Sequence, residues 1–388
     1  MQVLADLHIH IGRTLQGKPV KITAARTLTV VNILHEASAR KGLNLVGIVD
    51  AGSPGVQADL AELCSAQILR PLEGGGLSYR DRLTLIPGME LETTEAGGAA
   101  HFIIYGSSLA VMQAVTKSLQ PYLTNPELST QKVRLRIATV WDLLADLAVL
   151  LVPAHVFTPF KSVYGACCDS LRDLFRPDQV TRLQAVELGL SADTDLAQAV
   201  GELQSVAFLS NSDAHSLPKI GREYNLLDLA AVDFANLRAA LSGANGCRIV
   251  ANYGLDPKLG KYHRTFCEVC AAVADTPPPV QVCPHCGSSS VVKGVLDRIC
   301  EIAQPAKVKR PSYVHQVPLL FIPGLGPKTL TKLLDCFGTE LNILHRVSDA
   351  DLVRAAGPVL ADRIIASREG RLRIKPGGGG IYGKVSKD

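Results

Sequence analysis

Short apolar runs bounded by acids and histidines recur along the first 215 residues of this 388-residue chain. The run from Gln2 to Ile11 alternates polar and apolar positions, and in a strand this alternation sends Asp6, His8 and His10 to the same face. Comparable runs occupy positions 43–50, 83–92, 102–106, 149–152 and 206–209. The pattern predicts a barrel of parallel strands joined by helices, in which the strand ends meet at one rim.

Side chains able to bind a divalent ion lie at the ends of these predicted strands. They are His8, His10, Asp50, Glu90, His101, His155, Asp213 and His215. Imidazole and carboxylate groups together suit zinc, manganese or iron better than calcium, which prefers oxygen ligands. A lone histidine beside an apolar run is usually structural, so the prediction depends on the whole set meeting at the rim. His35 falls in a predicted helix, 32–41, and is expected to be structural.

The order of these motifs resembles the PHP (polymerase and histidinol phosphatase) family of metal-dependent phosphoesterases. The matching motifs, in chain order, are Asp-x-His-x-His, an acid at a strand end, Glu, His, Pro-Ala-His and Ser-Asp-Ala-His. The resemblance implies an α/β fold with a distorted (β/α)7 barrel. It also implies one ion on His8, His10, Glu90 and Asp213, and a second on Glu90, His101 and His155.

A third ion in that family usually binds a histidine that follows the acid of the second motif, where this chain has Asp50-Ala51. Asp50 and His215 are the candidates for such a site, which is either weaker or missing. Two ions about 3.5–4 Å apart activate water and stabilise the attacking and leaving oxygens of an in-line displacement. We therefore expect phosphate-ester hydrolysis with two or three divalent ions, either zinc, manganese or magnesium.

Four cysteines further along the chain have the spacing of a zinc ribbon. Cys267 and Cys270 form one Cys-x-x-Cys pair, and Cys283 and Cys286 form another after twelve residues. Four thiolates complete the tetrahedral site of a structural zinc ion. Two disulfides are the alternative, but the expected absence of a secretory signal disfavours them.

A glycine-rich turn near residue 325 resembles the helix-hairpin-helix motif of DNA repair proteins. Gly324 and Gly326 allow a tight turn, Pro327 suits the first turn of a helix, and Lys328 adds positive charge. Exposed amides at such a helix start bind phosphate. A looser copy is predicted at Gly357, before a helix at 361–368. A tight turn without DNA binding is the alternative.

The two parts of the chain differ in charge. Residues 1–256 contain 21 Lys and Arg against 25 Asp and Glu, whereas residues 257–388 contain 19 against 11. A basic region beside an acidic catalytic region is typical of proteins that bind a polyanion. A solvated basic face is the alternative.

Length and motif positions predict four segments. They are a phosphoesterase barrel at 1–256, a zinc ribbon at 257–303, a linker at 304–318, and a helix-hairpin-helix region with a glycine-rich tail at 319–388. The longest apolar stretch, 143–152, is too short for the roughly 20 residues that span a bilayer. Met1 directly precedes the first strand, so no targeting segment is expected. These features predict a cytoplasmic protein without a membrane partner.

The order of barrel, ribbon and hairpins resembles the endonuclease Q family of DNA repair enzymes over nearly the whole chain. Further matching stretches are Pro153–Phe160, Glu187–Asp193, Ser210–Ser216, Gly221–Asn225 and Gly254–His263. The resemblance implies DNA, single- or double-stranded, as partner, and hydrolysis on the 5′ side of uracil, hypoxanthine or xanthine and at abasic sites. Replication or repair proteins are further candidate partners.

Reading a damaged base in a duplex generally requires flipping it into a pocket. Phe157, Phe160 and Tyr164 are candidates for that pocket, and loop packing is their alternative role. Lys161 and Arg222 are candidates for phosphate contacts. A small-molecule phosphatase of the histidinol phosphate type is the rival enzyme, and a DNA-binding scaffold without catalysis is the rival from another class.

Overall fold

The computed structural model describes residues 1–304 and 308–385. Its strands are β1 (Gln2–Ile9), β2 (Leu45–Ile48), β3 (Leu69–Pro71), β4 (Leu77–Tyr79), β5 (Leu83–Thr94), β6 (Ala99–Gly106), β7 (Gln131–Val133), β8 (Val149–Pro153), β9 (Ala185–Glu187), β10 (Ala207–Leu209), β11 (Tyr224–Asp228), β12 (Arg248–Gly254), β13 (Phe266–Cys267), β14 (Val291–Val292), β15 (Ser312–His315), β16 (Ile374–Lys375) and β17 (Lys384–Val385). Parts of the predicted linker (305–307) and tail (386–388) lie outside the described residues.

The α-helices alternate with strands in the first half and dominate the C-terminal region. They are α1 (Val30–His35), α2 (Pro54–Ser65), α3 (Leu109–Leu119), α4 (Ile137–Leu143), α5 (Pro177–Arg182), α6 (Thr194–Ala197), α7 (Phe234–Ser242), α8 (Val295–Ile302), α9 (Pro327–Phe337), α10 (Glu340–His345), α11 (Asp349–Ala356) and α12 (Pro358–Arg368). Among the described residues, no helix combines the length and apolar character needed to cross a bilayer.

Seven strands close into a distorted ring. β1, β2 and β5 are parallel neighbours, β6 joins β5 to β8, and β9 pairs with β10. The N–H of Val156, after β8, donates to the carbonyl of Glu187 in β9 over 2.9 Å. The ring closes where Ala214, after β10, exchanges 3.1 Å backbone hydrogen bonds with His8 and His10. The mixed α/β barrel predicted from the sequence is therefore confirmed.

One strand of the ring departs from the expected all-parallel arrangement. β6 runs antiparallel to both β5 and β8. His101 lies near the start of β6, and the reversal brings this start to the rim where the other strands end. The expectation of parallel strands throughout was wrong for β6, because the short connection from Thr94 to Ala99 allows an antiparallel return.

The sheet extends beyond the ring on the side of β1. β11 pairs antiparallel with β1, β12 with β11, and β15 runs parallel to β12. β15 lies within 304–318, the stretch predicted as a linker, so part of that stretch belongs to the barrel's sheet. The predicted domain boundaries otherwise stay predictions.

The C-terminal helices share a core with the barrel. Buried side chains of α9, α10 and α12 pack in the same apolar cluster as Ile9, Leu34 and Ile48. α9 begins at Pro327, directly after Gly326, as the first hairpin motif predicts, whereas α12 begins at Pro358, three residues before the predicted start at 361. Lys41 also donates to Glu340 of α10 over 2.8 Å, and both side chains are buried. The hairpin region is therefore fixed against the barrel.

Candidate metal centre

Glu90 lies at the centre of a cluster formed at the barrel rim. Its Oε1 is 2.9 Å from Nδ1 of His101 and 3.6 Å from Nε2 of both His8 and His155. Its Oε2 is 3.5 Å from Nε2 of His10. A carboxylate whose two oxygens face different imidazoles is suited to bridge two cations.

Asp213 approaches the same cluster from the other side. Its Oδ1 is 3.5 Å from Nε2 of His8 and also 3.5 Å from Nε2 of His10. Two groups have ligand atoms within 4.8 Å of one another, namely His8, His10 and Asp213, and Glu90, His101 and His155. The family resemblance implies the same two sets with Glu90 added to the first, and Glu90 lies next to both groups here.

The orientation of the two β1 histidines fits metal binding. Nδ1 of His8 donates to Glu187 at 3.0 Å, and Nδ1 of His10 donates to Asp50 at 3.1 Å. Within the described chain, Nε2 of each ring is buried and has no hydrogen-bond partner. A carboxylate on one imidazole nitrogen fixes the tautomer that leaves the other nitrogen as a free ligand atom. The donor set therefore fits divalent ions such as zinc or manganese.

Asp50 and His215, the candidates for a third ion, lie outside both groups. Both Asp50 oxygens face His10, and the carboxylate also accepts from the Ile11 N–H and the Ser129 hydroxyl. Nδ1 of His215 lies 3.1 Å from the carbonyl oxygen of Asp213. Burial lowers the pKa of His215 to about 4, which keeps the ring neutral at physiological pH. The geometry of Asp50 favours orienting His10, and a third ion stays a prediction.

Glu187 and Lys21 face the cluster although the sequence did not single them out as site residues. Glu187 is buried at the end of β9, where it also accepts from Asn211 and from the His155 N–H. Nζ of Lys21 lies 3.1 Å from Oε2 of Glu90. An acid that ends a strand was a usable signal for Glu187. Lys21 lies in an irregular stretch, so the sequence pattern offered no comparable signal.

Negative charge dominates this rim. Burial lowers the pKa of His8, but the carboxylates of Glu187 and Asp213 more than offset this effect and raise the pKa to about 10. Burial raises the pKa of Glu90, yet His101 and Lys21 hold it well below its usual value. Protons and divalent ions compete for the same lone pairs. The negative charge of the carboxylates that raises the pKa of His8 therefore also favours binding of a divalent cation.

Two of the predicted ligands sit on strained backbone. His155 has φ +32° and Asp213 has φ +45°, in a region that residues other than glycine seldom occupy. Arg222 supports the Asp213 loop, because its guanidinium donates to the Ser212 carbonyl over 2.8 Å and to the Asp213 carbonyl over 3.4 Å. Such strain persists where the surroundings fix the conformation, and it is frequent at functional sites.

A cavity of about 380 Å³ opens beside the cluster. Its walls include His155, Asp213 and His215 together with three aromatic rings, Phe160, Tyr262 and Tyr382. The side chains of Lys219, Arg222 and Lys261 add positive charge. The cavity has the size and aromatic lining suited to one planar ring system next to the metal ligands.

The three aromatic residues proposed from the sequence have different positions. Phe160 is 53% exposed and lines this cavity. Phe157 and Tyr164 are buried and stack on each other with ring centres 5.4 Å apart. They pack the loop, as the alternative stated, and are not available to a base. Tyr262 and Tyr382, which the sequence did not single out as pocket residues, also line this cavity.

The two candidate phosphate contacts also differ. Nζ of Lys161 pairs with Oε2 of Glu92 at 2.7 Å, and its side chain is 55% exposed at the mouth of the site. Arg222 is buried, and its nitrogens are engaged by backbone carbonyls and by Tyr382. This environment gives Arg222 the geometry of a positioning residue.

The four cysteines predicted to bind zinc come together beyond the barrel. The sulfurs of Cys267 and Cys286 are 3.6 Å apart, and those of Cys270 and Cys283 are 3.5 Å apart. A tetrahedral zinc site with Zn–S bonds of about 2.3 Å would separate its sulfurs by about 3.8 Å. The Cys270 N–H donates to the Cys267 sulfur over 3.5 Å, a contact that stabilises the thiolate that zinc requires. The cluster fits a zinc ribbon.

The hairpin motifs present glycines at the surface. Gly324 is exposed with φ +86°, and Gly357 has φ +80°. Gly326 and Lys328 are exposed at the start of α9. Arg363 of α12 donates to the Pro323 carbonyl over 2.8 Å and so joins the two hairpins. Phosphate binding at these turns stays a prediction.

The chain is similar along its whole length to other proteins. No protein-family model matches the chain. It is 46% identical over 389 residues to the uncharacterized protein YqxK of Bacillus subtilis (strain 168), with 99% of each chain covered. The crystal structure of the lesion-specific endonuclease PfuEndoQ from Pyrococcus furiosus is similar with a TM-score of 0.84 and 31% identity, over 99% of this chain and 95% of that one.

A second solved structure shows an endonuclease Q in complex with a 27-mer duplex that carries an abasic lesion at the active site. It matches with a TM-score of 0.84 and 31% identity, covering 99% of this chain and 96% of that one. Fold and site together define a mixed α/β barrel protein with a candidate multinuclear metal centre and a four-cysteine cluster. The chain belongs to the endonuclease Q family. This membership supports a DNA repair endonuclease.

Proposed function

We propose that this protein hydrolyses the DNA phosphodiester on the 5′ side of deaminated bases (uracil, hypoxanthine or xanthine) and at abasic sites. The observation that carries the proposal is the position of the Glu90 and Asp213 cluster beside a cavity of about 380 Å³ with aromatic walls. Chemistry at a phosphate and inspection of the adjacent base would then take place within one cleft.

Two divalent ions would be held by the two ligand groups, with Glu90 between them. Bound ions of this kind would supply an activated water and offset the charge that develops on the phosphate oxygens. Glu187 and Asp50 orient the two β1 imidazoles, and Arg222 holds the loop of Asp213. Lys21, Lys161 and Lys219 line the cleft and attract the polyanion.

Base discrimination would take place in the aromatic cavity. Uracil, hypoxanthine and xanthine each carry a carbonyl where the undamaged base carries an amino group. Hydrogen-bond donors in the wall, from the loop of Gly189 and Ser191 and from Lys261, favour a carbonyl over an amino group. An abasic site has no base to place in the cavity. The enzyme would recognise it through the flipped sugar and its phosphate alone.

The exposed hairpin turns would hold the duplex away from the cut. Gly324, Gly326 and Gly357 would offer backbone amides and Lys328 a charge to the phosphates, as helix starts commonly do. These contacts carry no sequence information, which suits an enzyme that must scan every sequence for damage.

The test uses labelled duplexes of one sequence that contain uracil, hypoxanthine, an abasic site or no lesion, together with divalent metal. Wild-type protein is expected to nick each lesion strand on the 5′ side and to spare the intact duplex. Asp213→Ala should abolish nicking but retain DNA binding, whereas Asp146→Asn, an exposed acid far from the rim, should behave as wild type. Strong hydrolysis of histidinol phosphate without DNA cutting would contradict the proposal.

A further inference from the structure

The glycine-rich C-terminal segment is bound to the edge of the cleft. The N–H groups of Gly377, Gly380 and Gly383 donate to the carbonyls of Lys258, Lys261 and Leu259 over 2.8, 3.2 and 3.0 Å, respectively. β16 and β17 pair around this segment. We call residues 374–385 the C-terminal strap. Its hydrogen bonds give it a defined position, unlike the flexible tail that composition alone allows.

Close packing explains why the strap contains so many glycines. A Cβ atom at Gly377 would lie 2.5 Å from the Gly260 carbonyl oxygen, and one at Gly383 would lie 2.5 Å from the Lys258 carbonyl oxygen. Gly379 has φ +59°, and a Cβ there would meet the Phe266 ring at 2.5 Å. The backbone could not approach the barrel this closely with larger residues.

The strap places one aromatic side chain in the cavity next to the metal ligands. Tyr382 lines this cavity together with Phe160, Tyr262, His155 and Asp213. It is the residue of the described strap that reaches the catalytic cleft. A segment more than 160 positions beyond Asp213 in sequence therefore contributes to the wall of the cleft.

Three neighbours fix the orientation of the Tyr382 ring. Its hydroxyl accepts from Arg222 over 2.7 Å, Nζ of Lys261 lies 4.7 Å from the ring centre, and the Phe321 ring contacts it edge-on at 6.1 Å. Arg222 is the same residue that donates to the Asp213 carbonyl. An aromatic ring held in this way loses little freedom when a ligand binds, which favours a recognition role.

We propose that Tyr382 is a specificity-determining residue that packs against the base of the flipped nucleotide. The inference rests on the proposed function, because it requires a damaged base in this cavity. Stacking on an aromatic side chain stabilises any base, because every base has a π face. An abasic site has no base to stack, so the contribution of Tyr382 would differ between the two classes of lesion.

A purely structural role for Tyr382 makes a different prediction. If the ring served only to hold Arg222, and through it the Asp213 loop, its loss would impair cleavage of every lesion by the same factor. The ratio of the kcat/KM values for a uracil duplex and an abasic duplex separates the two roles, since it cancels any general damage to the site.

The experiment measures this ratio for full-length wild type, Tyr382→Ala, Tyr382→Phe and Ile381→Ala, with duplexes of identical sequence. Tyr382→Ala is expected to lower the uracil-to-abasic ratio about tenfold or more. Tyr382→Phe keeps the ring and should keep the ratio close to that of wild type. Ile381 is an exposed neighbour on the same strap, and its substitution should leave the ratio unchanged.

Equal losses on both substrates, or an unchanged ratio in Tyr382→Ala, would overturn the proposal and leave the proposed function intact. A wild-type protein that cuts abasic but not uracil duplexes would also overturn it. Failure to cut any lesion would refute the proposed function itself. Tyr382→Leu replaces the alanine variant if that variant loses bound metal or unfolds, and the same fall in the ratio is expected.

Discussion

Oε2 of Glu187 lies 3.0 Å from Nδ1 of His8, although 179 positions separate the two residues. The carboxylate accepts the Nδ1 proton and directs Nε2 of His8 toward Glu90 and Asp213. Glu187 also accepts from Asn211 and from the backbone of His155. One buried acid thus connects three segments of the barrel rim.

Glu187→Gln is expected to weaken divalent-metal binding about 10- to 100-fold, as loss of a partner behind a metal-binding histidine commonly does. The neutral amide of the variant does not increase the basicity of His8 as the carboxylate does. Its NH2 group also faces one of the N–H donors that the wild-type carboxylate accepts from, which is an unfavourable contact. Titration calorimetry with manganese measures the effect. Glu73→Gln, an exposed acid, is the matched control. Wild-type affinity in Glu187→Gln would show that the contact does not orient a ligand.

Lys21→Met should strengthen divalent-metal binding, the opposite of the effect expected for Glu187→Gln. The ammonium group lies 3.1 Å from Oε2 of Glu90, where it would compete with a divalent ion for the same oxygen. Its removal is expected to tighten metal binding about tenfold, because a nearby positive charge is lost from a poorly solvated site. The same calorimetric titration applies, with exposed Lys18→Met as control. Weaker metal binding in Lys21→Met would contradict this account.

Glu223→Gln should stabilise the protein at alkaline pH. Burial raises the pKa of Glu223 from 4.5 to about 8, so the folded state holds a proton that the unfolded state releases. The free energy of unfolding of the wild type should therefore fall as the pH rises from about 4.5 to about 8. Above about pH 8, ionisation of Glu223 should change it little further. At pH 9, the variant is expected to be more stable by on the order of a few kcal/mol.

Chemical denaturation of metal-free protein at pH 5 and pH 9 measures this difference. The advantage of Glu223→Gln over wild type should be larger at pH 9. An equal difference at both values would mean that the Glu223 carboxyl has the same pKa in the folded and unfolded states.

Cys283→Ser should remove the structural zinc. Cys283 is buried and its sulfur lies 3.5 Å from that of Cys270, so a hydroxyl in its place would leave three thiolates for the ion. Elemental analysis is expected to show about one fewer zinc per chain, and the ribbon should become sensitive to protease. Cys300→Ser, at an exposed cysteine, should leave the zinc content unchanged. Unaltered zinc in Cys283→Ser would exclude this site.

Local patterns in the sequence predicted much of the fold and of the metal centre. Alternation in Gln2–Ile9 predicted β1 and the shared face of His8 and His10, because side-chain direction in a strand depends only on spacing. Gly326-Pro327 predicted the start of α9, since backbone freedom and a fixed φ are local properties, whereas α12 begins at Pro358, three residues before the predicted 361. The Cys-x-x-Cys pairs likewise predicted the four-sulfur cluster.

Burial and long-range contacts were not predictable in this way. Phe157, Phe160 and Tyr164 are aromatic residues of one loop, and the sequence does not distinguish their roles. The packing shows that Phe157 and Tyr164 are buried and that Phe160 lines the cavity. Glu187, Lys21 and Tyr382 reach the cleft through strand order and through the docked strap. The residues that line the cleft come from elements far apart in the sequence. A local sequence pattern therefore cannot predict which of them meet there.

The sequence by itself therefore determined which residues have metal-binding chemistry, which strands and helices display them, and that a ribbon and hairpins follow the barrel. The tertiary structure alone decided that β6 runs in reverse, that Asp50 and Glu187 lie behind the histidines, and that Tyr382 completes the cleft. The physical reason is that residue type and spacing fix local conformation and chemistry, whereas distance and burial arise only once the whole chain has packed.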